Sequence, residues 1–151
     1  MSKAKNLQTG HIGLNVTDLD RSLAFYREVF DFEVLAEGKD EGRRWAFLGR
    51  GSRLLVTLWQ QSEGTFSTTL PGLHHLSFQV DTVEEVRATE AVLRTLGAAF
   101  TYDGVVPHGE SGNSGGIFFS DPDGIRLEIY APTGADPADA PTAGAPTCGF
   151  F

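Results

Sequence analysis

HIGLNV at residues 11–16 and HHLSFQV at residues 74–80 decide the fold, because the second stretch replays the first. His11-Ile-Gly-Leu-Asn-Val overlays His75-Leu-Ser-Phe-Gln-Val at an offset of 64 residues, and Phe47 through Trp59 overlays Phe118 through Tyr130 at an offset of 71. The offsets differ by an insertion in the second copy. After the first stretch, Leu19, Leu23, Tyr26 and Phe30 recur at helical spacing within Thr17 to Phe30, and Thr17 or Asp18 can cap the start. Phe32 to Leu35, Trp45 to Leu48 and Arg53 to Trp59 read as strands, broken by Gly38, Gly42, Gly49 and Gly51. After the second stretch, Thr82 and Glu85 form a capping box. Its helix runs through Leu96 with the stripe Val83, Val86, Leu93 and Leu96, and Gly97 is its stop. Strands are expected at Ala99 to Tyr102, Gly116 to Ser120 and Ile125 to Tyr130.

Each pass is therefore a βαβββ unit, which cannot cover its own sheet, so the two copies must pair. The fold class is α+β. A helix on one face of each sheet leaves the other face free to curl around a cavity. Residues 1–8 read as an extension, 9–60 as module 1 and 73–131 as module 2 of a single domain spanning 9–131. The Pro-, Ala- and Gly-rich stretch 132–151 reads as a flexible tail that ends in Phe150 and Phe151.

Composition narrows the class further. A net charge of -8 with no Lys/Arg cluster repels polyphosphates, so nucleic acid is not an expected partner. No apolar run reaches the ~18 residues of a membrane span, and the start MSKAKNLQTG lacks the apolar stretch of a signal peptide. The lone Cys148 cannot close an internal disulfide, which agrees with a reducing compartment. The expected location is cytoplasmic, with no membrane contact.

Side chains alternate across a strand, so each strand can be divided into a helix-facing and a cavity-facing set. Ile12, Leu14 and Val16 take the core, leaving His11, Gly13 and Asn15 for the cavity. Leu76, Phe78 and Val80 likewise leave His75, Ser77 and Gln79, and His74 has the wrong parity. Ile125, Leu127 and Ile129 leave Arg126, Glu128 and Tyr130, and the repeat places Thr57 opposite Glu128. The four related positions thus hold His11, Thr57, His75 and Glu128. Two imidazoles and one carboxylate make a facial set with open positions for substrate or water, unlike a closed structural zinc site with its four protein ligands.

These residues resemble the vicinal oxygen chelate superfamily, which includes glyoxalase I, extradiol dioxygenases, fosfomycin resistance enzymes, methylmalonyl-CoA epimerase and bleomycin resistance proteins. HIGLNVTDLDRSLAFYREVFDFEV is similar to its opening module and SDPDGIRLEIY to its closing signature, and the resemblance covers about residues 9 to 131. It implies two βαβββ modules forming an incomplete barrel around a metal-binding cavity, with His11, His75 and Glu128 as ligands. It also implies a small-molecule substrate and a homodimer. Departures sort the activities. Glyoxalase I resembles the chain but carries a fourth ligand, a glutamate, where Thr57 stands, so a typical glyoxalase I is disfavoured. The extradiol signature wants a tyrosine at Phe118 and a histidine slightly nearer than His108. The basic residues expected for a phosphonate have no match in Lys3, Lys5 or Lys39.

The metal is a divalent ion, Fe, Zn, Mn, Ni or Co, since ligand identity alone does not select among them. Asn15, Thr57, Trp59, Gln79, Arg126 and Tyr130 share the cavity face and are candidates for substrate binding, with Trp45 and Phe47 beside Trp59 as an apolar wall. Arg126 could equally bridge Asp121 or Asp123. His108 lies in PHGESGNSGG, a glycine-rich run expected to act as a flap, and is a candidate general acid or base, with Glu110 a weaker one. The leading expectation is a metal-dependent enzyme, dioxygenase-like or a glyoxalase-like lyase or isomerase. The alternative is a protein that sequesters an antibiotic or other aromatic compound, as bleomycin resistance proteins do.

Overall fold

A computed structural model describes residues 4–109 and 113–136; Glu110, Cys148, Phe150 and Phe151 lie outside the described residues. The chain divides between Glu63 and Gly64 into two compact units. Unit 1 runs β1 (Ile12–Val16), α1 (Leu19–Phe30), β2 (Glu33–Asp40), β3 (Arg43–Arg50) and β4 (Arg53–Gln60). Unit 2 repeats the order with β5 (Leu76–Gln79), α2 (Val83–Thr95), β6 (Val106–Pro107), β7 (Gly115–Ser120) and β8 (Arg126–Ala131). The sheets are ordered β1-β4-β3-β2 and β5-β8-β7-β6, each with its first strand parallel to its last. The two-copy βαβββ pattern of the sequence is present in full.

In unit 1 the Asp18 carboxylate caps α1 by accepting from the Arg21 amide at 3.0 Å, and Asp31, in the left-handed region at φ 55°, ends it. Tyr26, Leu19, Leu48, Val56 and Leu58 are almost wholly buried between α1 and its sheet. Tyr26, Phe30 and Phe32 stack in sequence, with centroids 5.9 and 5.3 Å apart. Gly42 and Gly51 occupy two-residue hairpin turns, paired with Glu41 and Ser52, all at positive φ. That geometry matches the twist of paired strands. Gly38 and Gly49, expected to break strands, instead lie inside β2 and β3. Gly38 is there because the Trp45 indole lies across it: a Cβ would stand 2.5 Å from the ring.

In unit 2 the Thr82–Glu85 capping box forms as read, and Gly97 at φ 69° terminates α2 while the Ala98 amide bonds the Leu93 carbonyl at 3.0 Å. Leu96 caps the helix and is 47% exposed, so the buried stripe stops at Leu93. The strand expected at Ala99 to Tyr102 is only an isolated bridge between Phe100 and Phe119. Asp103-Gly104 interrupts it. Pairing resumes at Val106–Pro107, where proline offers no N–H to prolong the ladder.

Among the described residues, one buried side-chain polar atom is unsatisfied. Ser22 on α1 is fully buried and its hydroxyl has no hydrogen-bond partner. A buried hydroxyl without a partner costs ~1–3 kcal/mol. Ser22→Ala is therefore expected to stabilise the protein by about 1 kcal/mol, raising the melting midpoint by roughly 2–4 °C in calorimetry. A lower midpoint would show that the hydroxyl is paired in solution.

Candidate functional site

Glu128 sits in the middle of β8, in register with Ser77 on β5 and Phe118 on β7, and is 2% exposed. Its placement starts at the turn before the strand. The Asp121 carboxylate accepts from the amides of Asp123 and Ile125 at 2.8 and 2.9 Å, which fixes the SDPDG turn and the point at which β8 begins. A carboxylate taken out of water costs several kcal/mol unless partners replace the lost hydration. Here His108 does so at one oxygen, and a second histidine stands beside the other. His75, immediately before β5, brings Nε2 to 3.3 Å from Oε2, and His108, immediately after β6, brings Nε2 to 2.5 Å from Oε1.

A carboxylate can only accept, so His108 donates from Nε2. Its Nδ1, on the other side of the ring, is in contact with the Ser114 hydroxyl. The same two residues are tied through the backbone, the His108 amide donating to the Ser114 carbonyl at 2.9 Å. The His108 ring leans on Tyr130 and Phe118, with centroids at 5.0 and 6.2 Å. His108 is thus held at the carboxylate; the flap expected of its run includes residues 110–112, which lie outside the described residues. Two of those glycines, Gly115 and Gly116, belong to β7, where a Cβ on Gly116 would collide with the Ile129 carbonyl and with Tyr130.

Burial pushes the His75 imidazole below its ordinary pKa. The Glu128 carboxylate opposes that shift, while His74 and Arg126 reinforce it. The outcome is a ring biased to its neutral form. Gln79 and Tyr130 share this face as the alternation required, the Tyr130 hydroxyl donating to Gln79 Oε1 at 2.8 Å. Arg126 lies close enough to act electrostatically on His75. Residues missed by sequence reasoning are Ser114, which no periodicity could single out in a glycine-rich loop, and His74. Parity removes His74 from the ligand set, yet its Nδ1 stands 2.8 Å from His75 Nδ1.

Unit 1 carries the remaining candidates. Thr57 and Trp59 pair in register with Gly13 and Asn15, one face of the sheet as the alternation implied, and His11 directly precedes β1. The Trp59 indole donates to Thr57 Oγ1 at 2.9 Å, and Gln61 donates to Asn15 Oδ1 at 3.0 Å. Trp45, Phe47 and Trp59 form a three-ring cluster with centroids 4.7, 6.0 and 6.3 Å apart, and Trp59 is 37% exposed. Thr57, at the position related to Glu128 by the repeat, is buried and engaged with an indole. Among the described residues, no three His, Cys, Asp or Glu side chains are gathered into a ready cage for a cation. Unit 2 alone supplies an imidazole and a carboxylate, with a second imidazole on the carboxylate's other oxygen.

Comparison with known proteins extends this picture. The chain is 32% identical over 127 residues to a catechol-2,3-dioxygenase of Bacillus subtilis, covering 81% of this chain but only 40% of that protein's length. Among solved structures, a glyoxylase/bleomycin resistance protein/dioxygenase domain from Frankia sp. EAN1pec superposes with a TM-score of 0.72 at 27% identity, covering 85% of this chain and 99% of that one. A fosfomycin resistance protein from Listeria monocytogenes, solved with Mn(II) and sulfate, shares the fold with a TM-score of 0.61 at 22% identity, over 82% of this chain and 91% of that one. The family profile itself matches residues 8–129. With two βαβββ units and a buried, histidine-flanked glutamate on the closing strand of the second, the chain belongs to the Glyoxalase/Bleomycin resistance protein/Dioxygenase superfamily.

Proposed function

We propose that the protein is a metal-dependent enzyme acting on a small oxygenated molecule, with His11, His75 and Glu128 as the ligands of one divalent cation. The observation that carries this is the spacing of His75 and Glu128. Two donors bound about 2.1 Å from one ion at a right angle stand about 3.0 Å apart. The His75 Nε2 to Glu128 Oε2 separation of 3.3 Å fits that spacing. Oε1 is held by His108, which leaves Oε2 for a single bond to the ion, and ligating carboxylates are commonly supported in this way. The third position falls to His11, the repeat-related partner of His75. The Listeria fosfomycin resistance protein with its Mn(II) supports a divalent ion; Fe, Zn, Mn, Ni and Co all suit two imidazoles and a carboxylate.

When bound, such an ion supplies Lewis-acid polarisation of the substrate's oxygens. The chain's own groups would do the rest. His108, hydrogen-bonded to Glu128 and backed by Ser114, holds a proton at Nε2 beside the site and serves as general acid or base. Gln79, Tyr130 and Arg126 offer hydrogen bonds and positive charge to the substrate. Asn15, Thr57 and the Trp59 ring contribute from the first module. Thr57 supplies no fourth acidic ligand, which sets the chain apart from a typical glyoxalase I. The reactions that fit best are ring-cleaving dioxygenation, as in the Bacillus relative's name, or a glyoxalase-like lyase or isomerase step. The exposed aromatic cluster around Trp59 favours one further reading, a protein that sequesters an antibiotic or other aromatic compound. The proposal includes a single domain over residues 9–131, a cytoplasmic homodimer, and no role for nucleic acid or membrane; the tail expected from the sequence falls mostly outside the described residues. Among the described residues, no helix is long and apolar enough to cross a membrane.

Metal analysis of protein purified without added metal is expected to give about one ion per chain, and Glu128→Ala to lose most of it. Unchanged metal content in Glu128→Ala would leave the sequestration reading. Metal affinity should also follow His75. Because its folded-state pKa is lowered, the neutral ligand form persists at neutral pH and somewhat below the ordinary imidazole pKa of about 6.5. Zn(II) affinity measured by chelator competition is therefore expected to be flat above neutrality and to fall as the pH drops beneath that range; a rise on acidification would contradict His75 ligation. With Fe(II) loaded, oxygen uptake across a panel of catechols is expected if the protein cleaves rings. Silence across the panel would select the lyase and isomerase branch.

A further inference from the structure

His74 and His75 are adjacent in sequence, yet their rings meet edge to face, with centroids 5.1 Å apart, planes at 75° and the two Nδ1 atoms 2.8 Å from one another. Two ring nitrogens at that distance share one proton, so one donates and the other accepts. Which does which follows from the opposite side of the His75 ring, where Nε2 faces Glu128. An imidazole that binds a cation through Nε2 must offer a lone pair there. Its ring proton then resides on Nδ1, and something must accept that proton, since a ligand's second nitrogen is what fixes its tautomer and orientation.

We infer that His74 is a positioning residue for the metal site, accepting the Nδ1–H of His75 so that His75 Nε2 is presented as a lone pair beside Glu128. The inference rests on His75 being a ligand, as proposed above. It gives the paired histidines separate tasks. His75 turns toward Glu128, while His74, one residue earlier and exposed, reaches the back of the same ring. An exposed side chain with no such task could be exchanged freely.

The test uses the full chain, stripped of metal with a chelator and titrated with Zn(II) at one fixed pH against a chromophoric competitor. His74→Leu keeps bulk but cannot accept, and is expected to weaken Zn(II) binding about tenfold to a hundredfold, the usual cost of losing a partner behind a metal-bound histidine. His74→Asn places an amide oxygen where Nδ1 stood and is expected to recover most of the loss. A readout independent of any variant is nuclear magnetic resonance of the 15N-labelled, Zn(II)-loaded wild type. A scalar coupling between the two Nδ1 nuclei across the hydrogen bond is expected. Wild-type affinity in His74→Leu, or no such coupling, overturns the inference while leaving the metal site standing. A wild-type protein that takes up no Zn(II) overturns the metal site and the inference with it.

Discussion

A carboxylate buried to 2% exposure between two imidazoles is the constraint around which the second unit is organised. Removing Glu128 from water is costly enough that its partners cannot be incidental. Each oxygen has its own histidine, and the two histidines come from opposite ends of the sheet's connectivity, one before β5 and the other after β6. The parallel pairing of β5 with β8 puts the start of the repeat beside its end, so residues more than fifty positions apart in sequence become neighbours. Glycine at 116 lets β7 approach β8 closely enough for His108 to reach across Phe118 to the carboxylate.

On the proposed function, the same asymmetry would separate holding an ion from moving a proton. His75 is biased to neutrality by burial and turns its Nε2 to one oxygen, whereas His108 donates to the other and is backed by the Ser114 hydroxyl. An arrangement made only for stability would be better served by apolar side chains of similar volume, because a carboxylate taken out of water is costly to compensate. Its place on the closing strand of the repeat is what a site would require.

Much of this was legible in the sequence because two independent periodicities agreed. Alternation within strands puts His75, Gln79, Glu128 and Tyr130 on one face, and the repeat sets the matching positions in the first unit; in unit 2 Tyr130 hydrogen-bonds Gln79 and His75 approaches Glu128. Both helices and the capping box were read correctly, since caps are local chemistry. What could not be read was tertiary. Gly38 and Gly49 look like breakers until the Trp45 ring and the neighbouring strand show why no side chain fits there. Phe100 has the residue types of a strand but is cut off by Asp103-Gly104 and the missing N–H of Pro107.

The central claim is that His11 joins His75 and Glu128 around one cation, and anomalous diffraction from crystals grown with Mn(II) tests it most directly. A single anomalous peak about 2.1 Å from Glu128 Oε2 and from a ring nitrogen of each of His75 and His11 is the expected result. A protein whose only anomalous density lies away from the His75–Glu128 pair would contradict it.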